Sequence, residues 1–166
     1  YVGQVQTCQL SDSLRLVTGR LKEGDVRTTA IIRKVREMIS DEPLVLLDSP
    51  PGTACPFIET ADDTTLCVLV TEPTPFGLHD LSVAVNVLKI LDIPSVVVIN
   101  RSEGSDGIIE DYCFENNIPI LMKIPLDFPL LKAQNNGELI SRKDTAWFER
   151  FKELGEKILD YAGGVL

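Results

Sequence analysis

The 166 residues amount to about one domain of chain, 44% apolar and 25% charged, a globular balance that excludes a disordered or collagen-like protein. Lys+Arg less Asp+Glu is 16 − 25 = −9, and no basic run of useful length appears. That charge argues against sequence-independent nucleic-acid binding and against docking on anionic lipid, and no apolar stretch is long enough to span a bilayer.

In chain order, residues 2–10 and 14–21 read as a β-hairpin whose β-type runs flank the polar turn Ser11-Asp12-Ser13. Gly24-Asp25 punctuates, and Ile31, Ile32, Val35, Met38 and Ile39 then recur at helical spacing, which predicts a helix over 26–40. The apolar run 44–48 reads as a buried strand ending in Asp48, and a short helix is expected near 57–61. Residues 66–70 and 96–99 are further buried strands. Between them Leu81, Ala84, Val85, Leu88 and Leu91 mark a helix over 78–91. A helix over 105–116, a strand over 118–124, a helix over 127–135 and a last amphipathic helix over 144–162 complete the pattern. Apolar strands alternating with amphipathic helices predict a three-layer α/β fold with a mostly parallel sheet covered on both faces. The hairpin is expected as an edge addition, and 1–166 as a single α/β domain.

Ligands of open parallel sheets bind at the carboxyl ends of the strands. Three such ends carry notable residues: Asp48 with Pro50-Pro51-Gly52, Thr71-Glu72-Pro73-Thr74, and Asn100-Arg101. Asp48 lies four residues before Gly52, the spacing of a phosphate-sensing loop. Its carboxylate can hold Mg²⁺ through water, and the Gly52 N–H can approach a terminal phosphate because no Cβ intervenes. The plainer alternative is an Asp that shapes a proline-stiffened turn.

The string Leu46-Leu47-Asp48-Ser49-Pro50-Pro51-Gly52-Thr53 resembles the Asp-x-Pro-Pro-Gly switch of the MinD/Mrp/ParA-type P-loop ATPases. Ala54-Cys55-Pro56, Val70-Thr71-Glu72-Pro73-Thr74, Gly77-Leu78-His79-Asp80-Leu81, Ile93-Pro94 with Val98-Ile99-Asn100, and Ile118-Pro119 with Ile124-Pro125-Leu126-Asp127 follow in that superfamily's order. Together they look like the MinD-like ATPases that carry an inserted ferredoxin domain, over about residues 25–140. The resemblance implies a P-loop NTPase-like fold in which Asp48 sits on the Mg²⁺ shell and Gly52 senses the γ-phosphate. It implies that Pro51 belongs to the same nucleotide-binding loop and that Asn100 contacts the adenine. Pro125 and Asp127 would belong to the loop that closes over the base, and residues 72–80 would line a nucleotide-dependent homodimer face.

Two hallmarks of that group are missing from these residues. No Gly-x-x-x-x-Gly-Lys-[Ser/Thr] occurs, and the Cys-rich insert that would hold a 4Fe-4S cluster is absent. The resemblance therefore implies the C-terminal part of a nucleotide-binding domain, with Mg-ATP bound in the parent protein and this chain inactive alone. The lack of an initiator Met is in keeping with a processed or excised piece. Arg101-Ser102-Glu103 replaces the Lys-x-Asp that would favour guanine, so adenine is expected. In this superfamily the P-loop strand lies between the strands ending at Asp48 and Val70. Without it, those two strands are expected to close on each other or to have the gap filled by another segment.

Cys55 lies seven residues after Asp48, the offset at which the nitrogenase iron protein holds a cluster shared across its dimer; the alternative is a small buried thiol beside a tight loop. Cys67 is expected in the core, and four cysteines without a Cys-x-x-Cys pair read as a reduced, cytoplasmic chain. His79 is read as a capping or interface residue rather than a general base, because no nucleophile pairs with it. Glu103, Glu110 and Asp111 read as a solvated acidic face, and Asp62-Asp63 as a turn. The function expected is that of a MinD-like ATP-binding domain whose parent works with an iron–sulfur or metallocentre partner. Two other readings stand beside it: a non-catalytic α/β binding module, and an ATP-dependent amide ligase of the cobyrinic acid diamide synthase type.

Overall fold

The structure, a computed structural model, describes residues 2–164. The chain forms two compact units, residues 1–62 and 63–166.

In the first unit β1 (Gly3–Ser11) and β2 (Leu14–Leu21) pair antiparallel, from Gly3 opposite Leu21 to Ser11 opposite Leu14. This is the expected hairpin, but it is a sheet of its own and not an edge of the parallel sheet. Helix α1 (Thr28–Arg36) packs across it. Gly19 permits the close approach: a Cβ there would stand 2.4 Å from Ile31 Cγ2 and 2.9 Å from Val35 Cγ2.

The helix is shorter at both ends than the periodicity predicts. At the start, Asp25 Oδ1 accepts the Arg27 N–H at 3.0 Å, a local turn that competes with helix. At the end, Met38 and Ile39 donate to carbonyls three residues back, and the Ser40 N–H goes to Glu42 Oε2 at 2.8 Å. Helix α2 (Cys55–Ala61) buries Phe57, Thr60 and Ala61. It is tied to α1 by Arg33, whose Nε and Nη2 each donate to a Glu59 carboxylate oxygen at 2.9 Å, and by Arg36, which donates to the Thr60 carbonyl at 2.8 Å.

Residues 44–48 correct the sequence reading. They form no strand, and Leu44, Val45 and Leu46 are exposed. A strand exists through its neighbour's hydrogen bonds, and this run joins no sheet among the described residues. Neither expectation for the gap is met among the described residues, where β3 (Cys67–Thr71) pairs with β4 alone.

In the second unit β3, β4 (Ser95–Ser102) and β5 (Ile120–Pro125) form a parallel sheet in that order. Val96, Val97, Val98 and Ile99 are each at most 2% exposed. Because alternate residues of a strand face opposite sides, burial of all four means that both faces of β4 are covered. Helix α3 (Pro75–Leu91) contributes Leu81, Ala84, Val85 and Leu88 to the core, and α4 (Gly107–Glu115) contributes Ile109 and Cys113. Thr74 caps α3 by accepting the Gly77 N–H at 3.0 Å. Asp92, left-handed at φ 58°, ends it, and the Ile93 N–H returns to the Leu88 carbonyl.

Helix α5 (Phe128–Asn135) starts at the Asp127 cap. A single 3₁₀ turn (Ile140–Arg142), not anticipated from the pattern, leads into α6 (Thr145–Gly163). Asp144 caps α6, and Trp147, 5% exposed, stacks on Phe151 with ring centres 5.5 Å apart. No helix among the described residues is long and apolar enough to cross a membrane.

Candidate functional site

The carboxyl edge of the second unit's sheet gathers Asn100, Pro125 and Asp127, three of the site residues expected from sequence. Thr71 ends β3 level with Ile99 of β4, and Ser102 of β4 stands opposite Pro125 of β5. The pairing slips between Ile99 and Ser102, where Arg101 is left-handed at φ 52°. Asn100 explains the bend, because its Oδ1 accepts the Arg101 N–H at 3.0 Å. Irregularities of this kind recur beside functional sites, where they re-aim a side chain.

Asn100 is half-buried, and no described residue accepts its Nδ2 hydrogens. Its amide presents donors beside a carbonyl oxygen with a lone pair to spare, the complement of a base edge that offers an acceptor beside an amino group. The 125–127 loop lies alongside, because the Leu126 N–H donates to the Ser102 carbonyl at 3.2 Å. The Asp127 carboxylate itself is engaged at the start of α5, where it accepts the Leu130 N–H at 2.8 Å. It thereby shapes the turn from the loop into α5.

Sequence reasoning passed over two groups at this edge, Asp106 and Lys123, and the contacts that join them to residues it named. Arg101 Nη1 lies 3.3 Å from Glu72 Oε1, linking the ends of β4 and β3. Asp106, 1% exposed, accepts from Ser102 Oγ at 2.7 Å and lies 3.0 Å from Lys123 Nζ, while Lys123 also donates to Glu110 at 2.6 Å. The Ser102 hydroxyl first, and the Lys123 ammonium with it, hold the Asp106 carboxyl below the usual carboxylate range against the opposing effect of burial. Glu110 and Asp106 in turn raise Lys123 above the ordinary lysine value. The available signal was Lys123, a single cation in an otherwise apolar strand.

Asp48, Pro51 and Gly52 belong to the first unit. The Asp48 carboxylate is exposed and no described residue donates to it. Ser49 Oγ donates to the Pro50 carbonyl at 3.1 Å. Gly52 is left-handed at φ 102°, and a Cβ built on it meets nothing within 4 Å. The loop is therefore glycine-dependent in its backbone and open around Gly52.

Cys55 is exposed at the start of α2, which corrects the reading of a small buried thiol, and Cys67 is only half-buried. No group of three or more His, Cys, Asp or Glu among the described residues is placed to hold a metal ion. His79 is exposed on α3, and Asp63, left-handed at φ 56°, forms the turn expected after α2.

No family model matches the chain, and no solved structure matches it. Among curated proteins it is 28% identical, over 88% of its length, to an uncharacterized protein of Methanocaldococcus jannaschii, covering 51% of that protein. It is 30% identical over 70% of its length to the cytosolic Fe-S cluster assembly factor Nubp1 homolog of Drosophila sechellia, covering 45% of it. It is 23% identical over 81% of its length to the iron-sulfur cluster carrier protein of Pyrococcus horikoshii, covering 52% of it. The chain thus spans about half the length of these relatives, two of which carry iron–sulfur cluster assembly or carrier names.

Proposed function

We propose that this chain is part of a MinD/Mrp-type ATP-binding domain whose parent protein handles iron–sulfur clusters. The observation that carries the reading is the edge formed by β4 and β5, where Asn100, its Nδ2 without an acceptor among the described residues, stands beside the 125–127 loop. The named relatives support the iron–sulfur side.

In this reading Asn100 Nδ2 donates to a ring nitrogen of adenine, Oδ1 accepts from its amino group, and Pro125 and Asp127 hold the loop over the base. The first unit's loop fits Mg-ATP in two respects: a free carboxylate at Asp48, and at Gly52 a backbone that no side chain obstructs. Asp48 would hold Mg²⁺ through water while Pro51 and Gly52 approach the terminal phosphate; the ion, when bound, neutralises phosphate charge. We assign the Lys-bearing phosphate loop to the part of the parent outside these residues, and with it any hydrolysis. We further propose that both units belong to one three-layer P-loop NTPase-like domain, and that residues 72–80 line a homodimer face.

A 4Fe-4S cluster does not fit within this chain alone, because Cys55 is exposed without a second ligand set around it. A cluster on Cys55 would need thiolates from another chain, and no step is assigned to it.

Titration of the full-length parent with Mg-ATP, beside this chain and the parent's Asn100→Ala variant, tests the reading. The parent is expected to bind, the isolated chain to bind little or nothing, and loss of the Asn100 contacts, about 1.5 kcal/mol, to weaken the parent roughly tenfold. A parent that binds no nucleotide would leave a non-catalytic binding module instead, and one that binds it equally well without Asn100 would remove Asn100 from the site.

A further inference from the structure

Asp106 occupies the cap position of α4, yet its carboxylate makes no cap hydrogen bond. It is buried at 1% exposure, with Oδ2 engaged by Ser102 and Lys123 and Oδ1 without a donor among the described residues. Burying a carboxylate is costly, and an Asp at this place would ordinarily turn outward to cap the helix. A charge kept here calls for a reason beyond the helix end.

Ser102 supplies that reason, because it is bound from two sides. Its hydroxyl donates to Asp106, and its carbonyl accepts the Leu126 N–H. Two residues upstream is Asn100, across the left-handed Arg101 where the strand pairing slips. A backbone in that conformation persists only where its surroundings over-determine it. The Asn100–Arg101 hydrogen bond and the Glu72–Arg101 ion pair fix the near side of the bend. The Asp106–Ser102 and Leu126–Ser102 bonds fix the far side. Asp106 is in turn anchored to β5 by Lys123, which Glu110 grips from α4.

We propose that Asp106 is a positioning residue for the base: through Ser102 it holds Asn100 and the 125–127 loop in the one arrangement that reads adenine. The inference rests on the nucleotide reading given above. Asp106 touches no ligand itself; it lowers the cost of ordering the groups that do.

The test is ATP and GTP affinity, measured on the full-length protein and its Asp106→Asn, Ser102→Ala and Asn100→Ala variants. Loss of a charge-assisted hydrogen bond, about 1.5 kcal/mol, converts to a roughly tenfold loss of ATP affinity in the first two variants. The preference for ATP over GTP is expected to narrow with it. That ratio separates positioning from mere destabilisation, since a reduced fraction of competent protein weakens both nucleotides by the same factor. If Asp106→Asn does not fold, Ser102→Ala, which removes one hydroxyl, decides the matter. Equal losses for ATP and GTP, or no loss, would overturn the positioning role while the nucleotide reading stands. Unchanged ATP binding in Asn100→Ala would remove the base contact itself, and the positioning role with it.

Discussion

Gly77 lies so close beneath Glu72 that a Cβ on it would stand 2.2 Å from the Glu72 carbonyl oxygen and 3.0 Å from Thr71 Oγ1. Thr71 reinforces the approach by donating its hydroxyl to the Gly77 carbonyl at 3.0 Å. The end of β3 and the first turn of α3 are thereby fixed as one piece, from which the Glu72 side chain reaches Arg101. Because the obstacle is backbone, it has no rotamer to escape into. Gly77→Ala is expected to lower stability by roughly 1–3 kcal/mol, read as a shift of the urea midpoint, although alanine is otherwise the better helix residue. An unchanged midpoint would mean that the turn yields freely.

The acid limb of stability should depend on Asp106. Its folded pKa lies below the ordinary 3.8, so the stability it contributes is fully present above that value and lost as pH falls through the folded one. Lys123 works from the other side. Its folded pKa lies above 10.5, so its contribution is present below that value and lost as pH rises through the folded one. Urea midpoints for the natural chain should therefore fall between pH 6 and pH 3, and Asp106→Asn should fall less over the same span. Parallel curves would show that other carboxylates carry the acid limb.

Much of the second unit was legible in the sequence because period and punctuation agreed there. The run Val96-Val97-Val98-Ile99 is apolar at every position, and the structure buries all four residues in the central strand. Leu81, Ala84, Val85 and Leu88 were spaced as one helix face and form one. Residues 44–48 carry the same kind of signal and yet form no strand, because an apolar run specifies a strand only where a neighbour is present to pair with it. At the candidate site, Asn100 was found from its place at a strand end. Asp106 was not, since its position before Gly107 looks like an ordinary helix cap, and its burial depends on Lys123, which is distant in sequence.

The four cysteines should separate into two reactivity classes. Cys8 and Cys55 are exposed. Burial pushes the Cys67 and Cys113 thiols up to about 11. At pH 8 such a thiol is ionised roughly one part in a thousand, and only the thiolate is alkylated. Brief iodoacetamide treatment of the native chain, read by intact mass, should add two groups, with peptide mapping placing them on Cys8 and Cys55. After denaturation all four cysteines should react. Early labelling of Cys113, which is 1% exposed, would show that α4 leaves the core on the labelling timescale.

Among the described residues strand β3 has a partner on one side only, and Val70 on it is 63% exposed. An unpaired strand edge offers a row of backbone donors and acceptors to any other chain, and natural proteins commonly blunt such edges with lysine. Val70→Lys removes no buried contact, so the folded chain should keep its urea midpoint. Its tendency to self-associate, followed by light scattering against concentration, should fall, because each pairing event would bring two cations together. In the full-length parent the same substitution should behave differently if another strand occupies that edge. There Val70→Lys would lower stability if the added elements also cover the sheet face on which residue 70 stands, because the lysine would then be buried rather than solvated. A loss of stability in the parent with none in this chain would show that further residues cover β3 there. Equal effects in both would mean that Val70 stays exposed in the whole protein.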